Sequence, residues 1–331
     1  MKVVNWGVLG AAKFARDHMA RAIHAADGAR LYALGTSDAA RAEPFRSFAP
    51  DLIVHDGYQA VLDDPEVEAV YVPLPNHLHV EWALKALGAG KHVLVEKPIA
   101  LEASQIDAII GARDATGLLA AEAYMIVHHP QWQRARALVT EGAIGRVLHA
   151  DAAFSYDNRA DGGNIRNRAD TGGGSIPDIG VYAYGSIRWV TGAEPVRLAS
   201  RIRRENGVDV FAQVMGDMAR PGAGPEEEFT FAAMTSMRLP PRQEVVFQGE
   251  RGLIRMTGPF NAGLFAEAQL HLLRPGQPDH VERFPGVNQY KLQVEAFGRS
   301  LRQRAAYPWT LEDAKGTQAM IDRIFASDRP I

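Results

Sequence analysis

The sequence has no cysteine, no long apolar run and almost no excess of charge. Without cysteine, the chain cannot form disulfides, iron–sulfur clusters, thiolate zinc sites or a cysteine nucleophile. The 36 lysines and arginines nearly balance the 39 aspartates and glutamates, so no overall field attracts nucleic acid or an anionic membrane. The longest apolar stretch, residues 118–127, is too short to span a bilayer and contains Glu122.

The length and composition are those of an ordinary globular protein. A chain of 331 residues suggests about two domains, because single cores stop growing at roughly 250–300 residues. Hydrophobic residues make up 47% and charged residues 23%, which excludes disordered, collagen-like and coiled-coil architectures. A strand-like run begins at Val3 and leaves no room for a signal peptide. We therefore expect a cytoplasmic protein.

The first 122 residues alternate strand and helix patterns. We predict strands at 3–9, 31–35, 52–55, 69–72, 92–96 and 118–122, and helices at 13–26, 39–48, 78–87 and 102–116. Strands this apolar, separated by helices, are buried on both faces of a parallel sheet. Residues 1–122 are therefore predicted to form a doubly wound α/β domain of the Rossmann type.

The remaining residues, 123–331, have a different pattern. We predict strands at 147–155, 196–202, 229–237, 244–248 and 253–256, and helices at 131–141, 179–190, 291–302 and 311–325. Successive strands without intervening helices predict an antiparallel sheet and an α+β second domain. Residues 158–174 are polar and glycine-rich, and an irregular segment of that length is usually a functional lid or loop.

The turn after the first strand has a dinucleotide-binding pattern. Gly10 permits a tight turn, and the small Ala15 lets the helix pack closely on the strand. The backbone N–H groups at the helix start would then face a pyrophosphate. Ala12 stands where a second glycine is usual. The alternative is an ordinary strand–helix turn without a ligand.

The end of the second predicted strand favours NADP over NAD, although NAD is possible. NAD-binding proteins usually place an acidic residue there, to hold the ribose 2′-hydroxyl. Here Thr36 and Ser37 can donate to a 2′-phosphate, and Arg41 can pair with it. Asp38 has an alternative role as a helix N-cap.

Lys97 follows an apolar strand directly, in the sequence Glu96-Lys97-Pro98. Ligands of open α/β sheets lie at the carboxyl ends of the strands, so we expect Lys97 beside the nicotinamide. A lysine that is partly desolvated near a cationic ring has a lowered pKa and can exchange protons near neutrality. The alternative is a surface lysine that closes a strand.

Asp178 and Tyr182 follow a triple glycine and lie four residues apart, which places them on one face of a predicted helix. A carboxylate and a phenol on one face suit a polyol substrate. One can hold or deprotonate a hydroxyl, and the other can relay the proton. In the alternative interpretation, Asp178 caps the helix and Tyr182 packs in a core.

Together, these motifs resemble the Gfo/Idh/MocA oxidoreductase family over nearly the whole chain. Further matching segments are residues 64–71, 75–79, 89–98, 122–125, 172–182 and 249–252. The resemblance implies a Rossmann domain joined to a domain with an open, mostly antiparallel sheet, through which we predict a homodimer or homotetramer. It also implies NAD(P)-dependent oxidation or reduction of a carbohydrate-like hydroxyl or carbonyl.

The resemblance also implies residue roles. Lys97 matches the family's catalytic lysine, Asp178 its substrate-positioning aspartate, and Tyr182 a position that holds Tyr or His in different branches. Val127 stands where many relatives have an arginine, so Arg166 or His128 is expected to supply polar contacts instead. The predicted cofactor-binding residues are Gly10, Ala11, Ala12, Lys13, Phe14, Thr36, Ser37, Arg41, Leu74, Asn76, His79, Glu96 and Lys97. The predicted substrate-binding residues are Lys97, Tyr124, His128, Tyr156, Arg166, Asp178 and Tyr182.

The predicted function is hydride transfer between NADP(H) and a sugar or polyol carbon, with C1 of an aldose preferred. Tyr182 or Lys97 is the base, and Asp178 orients the neighbouring hydroxyl. Alternatives are a dehydrogenase of inositol or dihydrodiol substrates and a non-catalytic nucleotide-sensing protein. A metal-dependent hydrolase is disfavoured, and no metal is expected, because no His-Glu-x-x-His pattern occurs and neighbouring histidines diverge. These histidines are His77, His79, His128 and His129.

Overall fold

The computed structural model describes residues 3–329. Its contacts divide the chain into two compact units. One contains the chain up to His128 together with Asn288–Lys315, and the other contains His129–Val287 and the segment from Gly316 onward.

The first unit contains a six-stranded sheet in which every strand pair is parallel. Its strands are β1 (Val4–Leu9), β2 (Ala29–Thr36), β3 (Ile53–Asp56), β4 (Ala69–Val72), β5 (His92–Val95) and β6 (Ala120–Glu122). The spatial order β3-β2-β1-β4-β5-β6 reverses direction between β1 and β4. This is the doubly wound order in which ligands bind at the point of reversal, so the predicted Rossmann fold is confirmed.

Helices connect these strands. They are α1 (Ala20–Ala25), α2 (Glu43–Arg46), α3 (Tyr58–Asp63), α4 (His79–Gly88) and α5 (Ala103–Thr116). A π-helical turn, Ala15–Met19, leads directly into α1. Capping residues explain the bounds of α5: Glu102 and Gln105 form a capping box at its start, and Gly117 ends it in a left-handed conformation. The sequence pattern predicts all of these helices except α3.

The second unit contains an eight-stranded sheet. Its strands are β7 (Val147–Asp157), β8 (Glu194–Glu205), β9 (Val208–Ala219), β10 (Phe229–Ser236), β11 (Arg238–Gly249), β12 (Gly252–Thr257), β13 (Ala268–Leu273) and β14 (His280–Phe284). The order is β14-β13-β12-β11-β7-β10-β9-β8, and within the described sheet only β7 and β10 pair in parallel. The predicted mostly antiparallel sheet is confirmed, although the sequence analysis missed β9, β13 and β14.

The two faces of this sheet differ in burial. Val214 on β9 and its partner Ala233 on β10 are buried. One residue along, Met215 is 53% exposed, and its partner on β8, Ala199, is exposed too. Since side chains alternate across a strand, one face is covered and the other is open.

The helices of the second unit are α6 (Pro130–Thr140) and α7 (Val181–Thr191). A π-helical turn, Ile176–Gly180, precedes α7. Residues 158–174 are irregular, as predicted, apart from two short 3₁₀ turns, Ile165–Asn167 and Ala169–Thr171. Residues 158–174 therefore form a loop between β7 and the π-helical turn.

Two helices close the chain, α8 (Gln289–Gln303) and α9 (Leu311–Ala326). On α8, Phe297 packs its ring 4.9 Å from that of Trp6 on β1. Residues 288–315 group with the first unit, whereas we predict from the sequence that all of residues 123–331 form the second domain. Within residues 3–329, no helix combines the length and the apolar character needed to cross a membrane.

Candidate active site

Three loops of the first unit meet at the carboxyl edge of its sheet. β4 lies between β1 and β5, and the strands pair in parallel, so their carboxyl ends share one edge. The turn at Gly10 follows β1, Leu74 follows β4, and Lys97 follows β5. The fold thus brings together cofactor-binding residues that are predicted from separate parts of the sequence.

The turn at Gly10 requires glycine. Gly10 has φ +105°, and its N–H donates to the Gly35 carbonyl at 2.9 Å. A Cβ at this position would lie 3.2 Å from Leu74 Cδ2 and 3.4 Å from Tyr58 Oη. A side chain would therefore strain the backbone and crowd the loop after β4. Glycine is therefore the residue that this turn accommodates without strain.

The residues after Gly10 fit a pyrophosphate. The first helical hydrogen bond runs from the Arg16 N–H to the Ala12 carbonyl at 3.0 Å. The N–H groups just before it, at Lys13 and Phe14, belong to a helix start, where such groups lack intrahelical partners and favour anions. Arg41 lies beside this turn, because its Nη2 donates to the Ala11 carbonyl at 3.1 Å.

The acidic side chain nearest the end of β2, Asp38, is exposed but engaged in a local hydrogen bond. The Asp38 carboxylate accepts from the Ala40 N–H at 3.0 Å and caps the following 3₁₀ turn. The Thr36 hydroxyl is also engaged locally, with the backbone of Asp38 at 3.2 Å. Ser37 and Arg41 are exposed at this end of the strand. The alternative role of Asp38 as an N-cap is therefore the one seen.

The segment from Glu96 to Ile99 is held by side chains of the sheet and of α4. The Glu96 carboxylate accepts from the Tyr71 hydroxyl at 2.5 Å and from the Lys97 N–H at 3.1 Å. His79 Nδ1 lies 2.8 Å from the Pro98 carbonyl oxygen, and its Nε2 lies 2.7 Å from that of Leu74. His79 thus connects the loop after β4 to the segment that carries Lys97.

Glu122, at the end of β6, holds the same segment from the other side. Its carboxylate accepts from the Ile99 N–H at 2.9 Å and from the Trp309 indole N–H at 2.8 Å. Burial raises the pKa of Glu122 to about 7, although both hydrogen bonds lower it. Burial also lowers the pKa of His79 to about 4, so a neutral ring donates to one of its two carbonyl contacts at a time.

Three predicted contacts lie in the interior of the first unit. His79 is fully buried, and both of its ring nitrogens face backbone carbonyls, so it braces the loops. Tyr124 is also fully buried and stacks on Trp309, with ring centroids 4.2 Å apart. His128 is 4% exposed, and its ring packs 5.3 Å from that of Tyr307. In this structure, none of the three presents a surface for a ligand.

The second unit contains a polar group that we call the Asp178 cluster, consisting of Tyr156, Arg166, Asp178 and Tyr182. The Tyr156 hydroxyl donates to Asp178 Oδ2 at 2.6 Å, and Arg166 Nε lies 2.8 Å from Asp178 Oδ1. Burial and the Asp178 charge raise the pKa of Tyr156, so its phenol stays protonated. The Asp178 charge also raises the pKa of Arg166. Tyr182 also acts electrostatically on Arg166, so the cluster gathers four predicted substrate-binding residues.

The local helix geometry around Asp178 differs from the prediction. Asp178 lies in the π-helical turn and Tyr182 in the first turn of α7, so their spacing of four spans a junction. π-helical turns are frequent at functional sites. Tyr182 is 6% exposed, and its ring lies 5.9 Å from Phe260 and 6.1 Å from Phe154. Two aromatic rings therefore pack beside the ring of Tyr182.

A buried carboxylate that the sequence analysis missed anchors this turn. Asp209 on β9 accepts from the Ser175 hydroxyl at 2.6 Å and from the Ile176 N–H at 2.7 Å. Burial raises the pKa of Asp209, while these hydrogen bonds lower it. Alternating buried residues in 208–214 are a signal for this strand, but no sequence pattern links Asp209 to Ser175. Asp209 thus fixes the start of the turn that carries Asp178.

The histidines form no metal site in the described part of the chain. Within residues 3–329, no three side chains of His, Asp or Glu are grouped so that they could hold a metal ion. Three observed features of the two units favour an organic cofactor. They are a glycine turn at the point of strand reversal, a lysine on the same sheet edge, and a carboxylate with its donors in the second unit.

A doubly wound domain with this glycine turn at its point of strand reversal has the architecture of a dinucleotide-binding protein. Residues 4–124 match the family profile described as "Oxidoreductase family, NAD-binding Rossmann fold", and residues 132–255 match the GFO/IDH/MocA C-terminal domain. The chain belongs to the GFO/IDH/MocA oxidoreductase family. The predictions of the family, of an enzyme and of a nicotinamide cofactor are thereby confirmed.

Several relatives match along almost the whole chain. The oxidoreductase ORF334 of Rhizobium meliloti is 34% identical over 98% of this chain and 96% of that protein. The dTDP-3,4-didehydro-2,6-dideoxy-alpha-D-glucose 3-reductase of Actinomadura kijaniata is 31% identical, with coverage of 99% and 96%. The D-xylose 1-dehydrogenase (NADP(+)) 2 of Haloferax volcanii is 29% identical, with coverage of 97% and 96%.

A solved structure shows the same architecture. The crystal structure of KijD10, a 3-ketoreductase from Actinomadura kijaniata in complex with NADP and TDP-benzene, superposes with a TM-score of 0.88. The two chains are 28% identical, and the match covers 100% of this chain and 99% of that one. The similarity therefore includes both units.

Proposed function

We propose that this protein transfers a hydride between NADP(H) and a carbon of a sugar or polyol. The observation that carries the proposal is the position of Lys97. It follows β5 at the same sheet edge as the Gly10 turn, on a segment that His79 and Glu122 hold in place. A proton-transferring amine is useful at this edge, because cofactors of this fold bind there.

The preference for NADP over NAD rests on the end of β2. Asp38 is engaged as an N-cap, while Ser37 and Arg41 are exposed beside the turn. A guanidinium and a hydroxyl suit a 2′-phosphate, whereas an acidic side chain would repel it. The relatives named or crystallised with NADP support the same choice.

In the proposed mechanism, bound NADP(H) supplies the hydride acceptor or donor, and the protein handles the proton. We assign proton transfer at the substrate oxygen to Lys97 and Tyr182. Asp178 orients a neighbouring hydroxyl, because Arg166 and Tyr156 hold its carboxylate in one geometry. Backbone N–H groups of residues 11–14 would hold the pyrophosphate, and Asn76 and Glu96 would line the nicotinamide end.

We propose C1 of an aldose as the first substrate position to test. A second candidate is reduction of a keto group on a nucleotide-linked sugar, which the relatives named as 3-reductases favour. The experiment is to identify the nucleotide that copurifies, by absorbance and mass. The enzyme is then mixed with aldoses and NADP⁺, or with keto sugars and NADPH. Reduction of NADP⁺ with aldoses supports the first candidate. Oxidation of NADPH with keto sugars, without any reaction of aldoses, supports the second.

Replacement of Lys97 by methionine tests the role of its amine. We expect Lys97→Met to lower turnover by about a hundredfold or more, the usual contribution of a general acid–base group. NADPH affinity, measured by fluorescence titration, should change little. Wild-type turnover in this variant would remove Lys97 from the mechanism.

The open face of the second unit's sheet is consistent with a homodimer or homotetramer, which we also propose. Large apolar side chains such as Met215 on β9 and Val281 on β14 are exposed there, 53% and 44% respectively. Apolar surface of this kind is common where protein chains associate. A cytoplasmic location is part of the same proposal.

A further inference from the structure

Two buried side chains form hydrogen-bond contacts with the backbone after Lys97. The carbonyl of Pro98 faces His79 Nδ1 at 2.8 Å, and the N–H of Ile99 donates to Glu122 Oε1 at 2.9 Å. His79 is fully buried and Glu122 is 2% exposed. Lys97 itself is only partly buried. The flexible side chain of Lys97 therefore projects from a peptide segment whose position depends on these two partners.

Glu122 also faces other charged and titratable groups. The negative charge of Glu96 raises the pKa of Glu122, and the positive charge of Lys97 lowers it. Its own charge is felt at the buried phenol of Tyr307. The Trp309 indole N–H donates to its Oε2 at 2.8 Å. A buried carboxylate in such surroundings costs free energy unless its hydrogen bonds are made.

We infer that Glu122 is a positioning residue for Lys97 and that its ionised carboxylate holds the catalytic segment through the N–H of Ile99. This inference rests on the proposed role of Lys97. Glu122 contacts backbone and indole rather than a reacting atom, so its effect on turnover passes through the placement of Lys97.

The grip depends on the charge of Glu122. An ionised carboxylate offers both oxygens as acceptors, one to Ile99 and one to Trp309. A protonated carboxyl group must place its proton on one oxygen, which weakens the bond at that oxygen. With a pKa of about 7, Glu122 loses its charge as the pH decreases through neutrality. Turnover should therefore fall as pH decreases through about 7.

The first test is Glu122→Gln. The amide keeps the size of the side chain but has one acceptor oxygen and no charge. We expect a kcat at least tenfold below wild type and a smaller fall in kcat between pH 8 and pH 6 than in the wild type. NADPH affinity should stay within about threefold of wild type. Full turnover together with an unchanged loss at acidic pH would overturn the inference.

The second test is Trp309→Phe, which keeps an aromatic ring beside Tyr124 but removes the indole N–H. That N–H favours the ionised carboxylate, so its loss should raise the pKa of Glu122 and move the acidic fall in kcat to higher pH. Trp6→Phe is a matched control, because Trp6 is equally buried in the same unit and its Nε1 has no hydrogen-bond partner among the described residues. An unmoved profile in Trp309→Phe would contradict the inference.

Lys97→Met separates this inference from the proposed function. In the Lys97→Met background, Glu122→Gln should lower the residual turnover by less than about twofold, because both changes remove the same amine from its place. If Glu122→Gln lowered turnover by the same factor in the Lys97→Met background as in the wild type, Glu122 would not act through Lys97. Wild-type turnover in Lys97→Met alone would instead refute the proposed function.

Discussion

Asp178 has hydrogen-bond partners from two parts of the second unit. Tyr156 at the end of β7 and Arg166 in the irregular segment both bind its carboxylate. The long loop therefore supplies a side chain to the Asp178 cluster. Because the arginine holds one oxygen and the tyrosine the other, the orientation of the carboxylate is set before a substrate arrives.

Tyr156→Phe tests this orientation. The change removes a hydrogen bond to a charged group, which contributes about 1.5–3 kcal/mol, or roughly ten- to a hundredfold. We expect kcat/KM for the sugar to fall by about that factor, with NADPH affinity unchanged. Steady-state kinetics with Tyr32→Phe as control would check it, because Tyr32 lies on β2 in the first unit. An unchanged kcat/KM would show that the Tyr156 hydroxyl does not position Asp178 for catalysis.

At the scale of elements, the conformation of the triple-glycine turn depends on β9, a strand that is distant in the sequence and was not predicted. Gly174 has φ +131°, and a Cβ there would lie 2.1 Å from Asp209 Oδ1 on β9. Glycine is required because the carboxylate approaches the backbone closely and the conformation is unfavourable for other residues. The turn and β9 are therefore built as one unit around Asp209.

Gly174→Ala should separate these partners. We expect a loss of about 1–3 kcal/mol in the free energy of unfolding, the usual cost of a strained backbone conformation, and a clear loss of activity. Gly163→Ala is the matched control, since a Cβ there meets no atom within 4 Å and should change stability by less than about 0.5 kcal/mol. Urea unfolding of both variants measures the difference. Equal stabilities would show that the turn can move away from Asp209.

For the whole molecule, buried histidines make stability depend on pH. Burial lowers the pKa of His128 to about 3 and that of His79 to about 4. The unfolded chain takes up these protons near pH 6.5, whereas the folded chain does so only at lower pH. The unfolded state thus binds more protons in this window, and stability falls as pH decreases from about 6.5.

His128→Phe should reduce this dependence. A pH of 5 lies about 1.5 units below the pKa of a histidine in the unfolded chain. Protonation of His128 in the unfolded state therefore lowers the free energy of unfolding by about 2 kcal/mol. We expect the wild type to lose about 2 kcal/mol more than His128→Phe between pH 7 and pH 5. Denaturant unfolding at both pH values checks this, with the exposed His77→Asn as control. Parallel losses in all three proteins would refute it.

Local patterns determined much of the candidate site. The Gly10 turn, the Thr36–Arg41 stretch and the segment at Lys97 each follow a strand that its own apolar run predicts. A parallel sheet then places the carboxyl ends of neighbouring strands at one edge, so the proximity of these residues follows from the fold class. The family resemblance added the roles of Asp178 and Tyr182, whose catalytic parts remain predictions.

The sequence by itself determined the two sheet types and the residues at the strand ends, because hydrophobic periodicity and glycine turns act over short distances along the chain. Only the tertiary structure decided which buried groups support them. Glu122 meets Trp309 across 187 positions, and Ser175 meets Asp209 across 34. It also decided that both ring nitrogens of His79 contact backbone carbonyls of two loops. Hydrogen bonds between distant residues leave no periodic pattern, since each depends on how separate elements pack.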